Sequence, residues 1–414
     1  MKRRDILKSL ALLPIAGSVQ SVLANTAMAK QVLSSSSKPS PEDSPLFRKD
    51  FVMDGHIHVM SRQLLEKLDI GQRYSDGHID LQRAREGGIN AMFFSVYTPE
   101  EYYPGRYETK NTFRIIELAL DQIEKNNNII ELARTASEIE QINRRGKMAA
   151  FLDLEGSFDL DGDLNLLRAL YRLGLRSLQL TAHNATNTFI DSCCDISKWG
   201  GLSPHGKEVI AEMNRLGMLI NVAHASDDAI LQAIATSRHP VLYTHGGFRG
   251  YVNQPRCISD EGAKALAAKG GVIGLQFGSG FNRPIQPKKN GESSLKIVPS
   301  TAVPMTSASM TIEQVDLEVA KSLPFVSTSK APDGWNTDEF VKAIDYGVRL
   351  VGEDHVALGS DFDGGMAPPP PMKDASDYPE MAKAMQRFGY SKQRINKIMG
   401  LNWLRVIRQV TEGR

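Results

Sequence analysis

Two histidines stand two residues apart in "DGHIHVM" (54–60), directly after the short apolar run "FVM". In an extended chain residues i and i+2 point to one face, so His56 and His58 could present both imidazoles to a single metal ion. Further along come Glu155 in "DLEGS", His183 in "LTAHN", His224 in "NVAHAS", His245 in "YTHGG" and Asp361 in "GSDFDGG". Each has an ordinary explanation alone: Glu155 as a solvated strand end, His224 and His245 as satisfied core histidines, Asp361 as a turn residue or helix cap. Gathered in one place they would be costly to bury without a divalent ion to satisfy them. Nitrogen and oxygen donors without cysteine suit Zn²⁺, with Mn²⁺ or Co²⁺ as alternatives. The chemistry available to such a set is hydrolysis by activated water, and two ions bridged by a carboxylate are an established arrangement for it.

The elements that must position these residues follow a regular rhythm. Short runs rich in Val, Ile, Leu and Phe, at 51–59, 90–97, 147–155, 177–183, 218–225, 241–246, 271–278 and 355–364, alternate with longer amphipathic segments. A helix is expected from Ser203-Pro204, with Val209, Ile210, Met213 and Leu216 on one face. Another is expected after the cap Ser226, with Asp227 and Asp228 in its first turn. Eight apolar strands separated by helices predict a single-domain α/β (β/α)8 barrel, and no glycine-rich nucleotide fingerprint follows the first strand. In such barrels the C-terminal strand ends carry the chemistry. Five of the nine histidines fall at those ends, together with Glu155, Asp361 and Asp363. His78, His205 and His239 read as surface residues, and His355 as a structural residue at the opposite rim.

Composition bounds the remaining possibilities. The chain has 414 residues, 41% hydrophobic and 23% charged, with a formal net charge of +1, which gives no sign of nucleic-acid or anionic-membrane partners. Cys193, Cys194 and Cys257 lack the spacing of a zinc knuckle or a disulfide framework and are expected as buried thiols. The N-terminus "MKRRDILKSLALLPIAG", running to "ANTAMA", pairs Arg3 and Arg4 with a short apolar stretch and an A-x-A site, resembling a twin-arginine export signal over residues 1–29. A polar linker at 30–47 leads to the catalytic domain at 48–414. Cleavage after Ala29 removes four basic groups and one acidic group, so the formal charge falls from +1 to −2. No run of 18 apolar residues follows, so an exported protein with no membrane span, periplasmic or secreted, is expected.

The longer blocks resemble the membrane (renal) dipeptidase family of zinc peptidases across roughly residues 48–411. They include "DGHIH", "DLEGS", "HNATN", "GLSPHGKEVIAEMNRLGMLINVAHAS", "PVLYTHGG", "PRCISDE", "VRLVGEDHVALGSDFDGG" and "GYSKQRINKIMGLNWLRVIR". The resemblance implies a barrel with two zinc ions. His56 and His58 match ligands of the first, His224 and His245 ligands of the second, and Glu155 the bridging carboxylate. Asp361 matches an acidic residue beside the first zinc that handles protons. His183 matches a substrate-binding histidine that steadies the tetrahedral intermediate, and Arg256 an arginine that holds the substrate's terminal carboxylate. It also implies dipeptides as substrates, attack by a metal-bridging hydroxide, and a homodimer, as members of the family often are. The chain departs from the family pattern at His58, usually aspartate, at an extra Ala182 before His183, and at Cys257 after Arg256.

Two other functions compete with this reading. A dinuclear amidohydrolase acting on cyclic or non-peptide amides would want a metal-bridging lysine at a strand end, and none of the eight strands ends in lysine. A non-catalytic exported binding protein would keep the barrel and have lost turnover, and the presence of every expected ligand counts against it. The polar stretch 284–310 after the seventh strand reads as an insertion on the active rim, and "PPPP" (368–371) as a stiff segment beside it.

Overall fold

The computed structural model describes residues 50–413, apart from 99–102, 104–106, 157–159, 161, 182–185, 285–308 and 323–330. Nine parallel strands form one sheet: β1 (Met53–Ile57), β2 (Ala91–Tyr97), β3 (Ile130–Leu132), β4 (Met148–Glu155), β5 (Ser177–Gln179), β6 (Leu219–Asn221), β7 (Val241–Tyr243), β8 (Val272–Leu275) and β9 (Val356–Leu358). Eight pair in the order β1-β2-β4-β5-β6-β7-β8-β9, and β3 lies off this path against the start of β4. The ring closes through a parallel bridge between Ile57 and Phe362, where the His58 N–H donates to the Phe362 carbonyl at 2.8 Å. This is the expected (β/α)8 barrel, with each predicted strand present and β3 added. The segments expected as a signal (1–29) and a linker (30–47), and most of 284–310, lie outside the described residues.

Strand alternation sorts the barrel into layers. On β2 and β4 the odd-numbered residues face inward, while Met92, Phe94, Ala150, Leu152 and Leu154 join the outer core beneath the helices. At the bottom, Phe93, Phe151, Leu219, Leu242 and Val272 pack with Trp403, carried by the C-terminal helix Asn402–Thr411. Trp403 Nε1 donates to the Leu358 carbonyl at 2.9 Å, which seals that end without leaving the indole unpaired. One layer up the interior turns polar, with Ser95, Asp153, Asn221 and Thr244 all buried. Glu155 stands above them.

The helices begin where capping chemistry predicts. The Ser203 and Ser226 side chains accept from the N–H groups of Gly206 and Ala229, with Pro204 in the first turn of one helix and Asp227 and Asp228 in that of the other.

Candidate metal centre

Six of the side chains singled out above meet over the polar layer. Glu155 lies between two histidine pairs and turns one carboxylate oxygen to each. Its Oε2 is 3.3 Å from His56 Nε2 and 3.2 Å from His58 Nε2, and its Oε1 is 3.4 Å from His224 Nε2 and 3.7 Å from His245 Nε2. Within the pairs the Nε2 atoms are 3.2 Å apart for His56 and His58 and 3.0 Å apart for His224 and His245. Asp361 Oδ1 completes the first half at 3.2 Å from His58 Nε2 and 3.9 Å from His56 Nε2. Tetrahedral ligands about 2.0–2.1 Å from an ion stand roughly 3.3 Å from one another, so these spacings fit a divalent ion in each half. All six residues are buried, and the donor set is all nitrogen and oxygen.

The surroundings hold the ligand atoms inward. His56 Nδ1 meets Ser95 Oγ at 2.9 Å, and His245 Nδ1 meets Thr244 Oγ1 at 3.1 Å, which leaves each Nε2 free for an ion. Asp54 fixes the backbone of the first pair. It accepts from the N–H groups of His56 (3.1 Å) and Ser360 (2.9 Å) and from the Tyr378 hydroxyl (2.6 Å). His224 and Asp361 both occupy the left-handed region, with φ of 68° and 62°. Side chains rarely adopt that conformation, and when they do it tends to be at functional sites.

The two histidine pairs differ electrostatically. Burial pulls the His58 pKa down, but the Glu155 and Asp361 carboxylates outweigh it and raise it to about 10. His245 moves well below the usual imidazole range, through burial first and then the neighbouring His56 and Arg256. Glu155 is pushed up by burial, yet the histidines around it hold its pKa well below the carboxylate range. Below the ligands, burial raises Asp153 to about 7, and its Oδ2 lies 3.9 Å from His56 Nδ1.

The remaining predicted residues divide. Arg256 is buried beside His245, with Nη2 donating to the His245 carbonyl at 3.2 Å and Nη1 to the Tyr243 hydroxyl at 2.8 Å. His183 lies outside the described residues. His58 is not the extended i+2 partner that the strand reading implies. β1 ends at Ile57 with its register shifted between Asp54 and Ile57, and His58 precedes the helix Val59–Glu66 with φ −103° and ψ 22°. The two Nε2 atoms meet because the chain bends, with the rings at 78°.

Two expectations are corrected. His78 is buried rather than on the surface, because Asp363 accepts from its N–H at 2.7 Å and from Arg62 at 3.2 Å, tying both to the β9 loop. Cys193 and Cys194 are joined by a disulfide rather than being buried thiols; Cys257 alone is a free, buried cysteine among the described residues. Sequence reasoning missed Ser95, Asp153 and Thr244, although Asp153 stands two before Glu155 and shares its strand face.

A closed parallel barrel with buried histidines and carboxylates converging at its C-terminal mouth defines a metal-dependent hydrolase of the barrel type. The chain belongs to the membrane dipeptidase family, peptidase family M19, whose model matches residues 42–414. It is similar to Dipeptidase tcpJ of Claviceps purpurea, 28% identical over 344 residues, covering 81% of this chain and 70% of the relative. Dipeptidase 3 of Rattus norvegicus is 27% identical over 386 residues, covering 90% and 68%. Among solved structures, the probable dipeptidase PvdM of Pseudomonas aeruginosa superposes with a TM-score of 0.73 at 22% identity, covering 89% of this chain and 97% of its own. A metallopeptidase of Rhodobacter sphaeroides, liganded with a phosphinate mimic of the dipeptide L-Ala-D-Ala, superposes at 0.67 with 21% identity, covering 87% and 99%.

Proposed function

We propose that this protein is an exported zinc-dependent dipeptidase that holds two ions, one between His56, His58 and Asp361 and one between His224 and His245, with Glu155 shared by both. The observation that carries this reading is the division of Glu155, one oxygen toward each histidine pair. Bound there, divalent ions would acidify water and polarise a carbonyl, the two things that peptide hydrolysis needs at neutral pH.

The chain's own residues supply the rest. Asp361 Oδ1 stands 3.2 Å from His58 Nε2, where it could take a proton from water and return it to the leaving amine. His183 would steady charge on the carbonyl oxygen. Two of the five Arg256 guanidinium donors are committed to His245 and Tyr243, and the others suit a substrate carboxylate, which a guanidinium can grip through two parallel bonds. A fixed arginine beside the second histidine pair limits the substrate to one residue beyond the scissile bond.

Hydrolysis of free and C-terminally amidated dipeptides tests this reading. Free dipeptides are cleaved and the amidated ones are poor substrates, and Arg256→Ala lowers kcat/KM for the free form by about tenfold to a hundredfold, as expected for a lost charge-assisted contact. Equal rates on both forms contradict the role given to Arg256.

A further inference from the structure

Gln276, the first residue beyond β8, is 2% exposed and plays no part in the metal centre described above. Its backbone is tightly held. Its N–H donates to the carbonyl of Gly246, the residue after His245, at 3.0 Å, and its carbonyl accepts from Asn282 Nδ2 at 2.5 Å. Its side chain reaches the end of the neighbouring strand β9, where Nε2 lies 3.4 Å from Asp361 Oδ2, the carboxylate oxygen turned away from His58. An ionised carboxylate only accepts, so this contact fixes which end of the amide is nitrogen. The other end, Oε1, is then a buried acceptor that no donor satisfies among the described residues. Such groups are rare because they are costly to leave unpaired, and one at the rim of a catalytic mouth is satisfied when a ligand brings a donor.

We propose that Gln276 Oε1 accepts a hydrogen bond from the α-ammonium group of the substrate's first residue, so that a free amino terminus is selected there. This rests on the dipeptidase reading and adds a specificity residue to it. The acceptors decide the kind of donor: Gln276 Oε1 stands beside Asp361 Oδ2, and two neighbouring acceptor oxygens suit an ammonium group, which carries three N–H donors, over a single amide N–H.

The test compares alanyl-alanine with propanoyl-alanine, which lacks only the amino group, on the zinc-loaded enzyme and on Gln276→Met. Methionine keeps the length of the side chain and removes the acceptor. The wild type prefers the amine substrate, and Gln276→Met reduces that preference by about tenfold to a hundredfold, the range of a hydrogen bond to a charged group. The loss falls on KM more than on kcat, because the ammonium is bound alike before and during the reaction. Gln276→Glu, which keeps an acceptor, restores the preference, and bound zinc in both variants equals that of the wild type. An unchanged preference in Gln276→Met, or an equal loss on both substrates, overturns the inference while leaving the dipeptidase reading intact. A zinc-loaded wild type that hydrolyses neither substrate overturns that reading and this inference with it.

Discussion

At position 58 this chain carries an imidazole where its resemblance to the family implies an aspartate. A neutral ligand in place of a carboxylate would make the site for the first ion one unit more positive, which would weaken its Coulomb attraction for a cation and lower the pKa of any water bound to it. Since His58 Nε2 lies 3.2 Å from both Glu155 and Asp361, we expect His58→Ala to bind the first ion at least about a hundredfold more weakly, more than the loss of an outer partner alone would cost. His58→Asp should keep two. The pH dependence has a definite sign. In metal-free protein the carboxylates raise His58 to about 10, so it carries a proton at neutrality that must leave before an ion binds. Zinc affinity at this half therefore rises with pH below 10, by up to about tenfold per unit for one displaced proton, and more gently in His58→Asp. Chelator-competition titrations between about pH 6.5 and 8.5 read both slopes; equal slopes would remove the proton from His58. The six residues that converge here were legible because polar residues ended apolar strands. Asp153 and Ser95 were not, because a single polar residue inside an apolar strand looks the same whether it supports a ligand or merely finds a local partner.

At the scale of elements, the first strand and the C-terminal helix depend on one another. A side chain added at Gly55 would come within 2.5 Å of the Trp403 ring, and Gly55 sits between Asp54, which anchors the strand, and His56, which serves the site. Gly55→Ala should therefore destabilise the fold by about 1–3 kcal/mol, the range for overpacking a filled core, and loosen the first ion through His56. Thermal unfolding with and without zinc measures the two effects, and adding Trp403→Phe should recover part of the loss by shortening the ring. An unchanged melting temperature would mean that the packing of the barrel floor does not constrain β1. Eight of the nine strands were readable as apolar runs closed by polar residues. β3 was not: Ile130–Leu132 lies in "NNNIIELAR", where Glu131 and Arg134 interrupt the apolar run and polar asparagines precede it. The bend after Ile57 was equally hidden, since it comes from β1 closing onto the β9 loop, which local sequence does not encode. The Cys193–Cys194 disulfide escaped notice because adjacent cysteines do not suggest a framework that joins distant segments.

For the molecule as a whole, the family match begins at residue 42, which leaves the first 41 residues free for a separate role. Among the described residues no helix is long and apolar enough to cross a membrane. The paired Arg3 and Arg4 ahead of an apolar stretch support twin-arginine export. Replacing both with lysine should hold the protein in the cytoplasm with its signal uncleaved, as fractionation and immunoblotting would show; normal export of that double variant would rule the route out. The barrel was legible because its eight-fold rhythm spans most of the chain, whereas the place of Glu155 between two histidine pairs followed from the family resemblance and not from spacing, since the residues meet only when the strands close. The account depends on that shared carboxylate. It is tested most directly by titrating metal-free protein with zinc while following hydrolysis of a dipeptide. The account predicts activity that climbs to a plateau at two equivalents of zinc per chain, and activity that is complete at one equivalent, or indifferent to zinc, would contradict it.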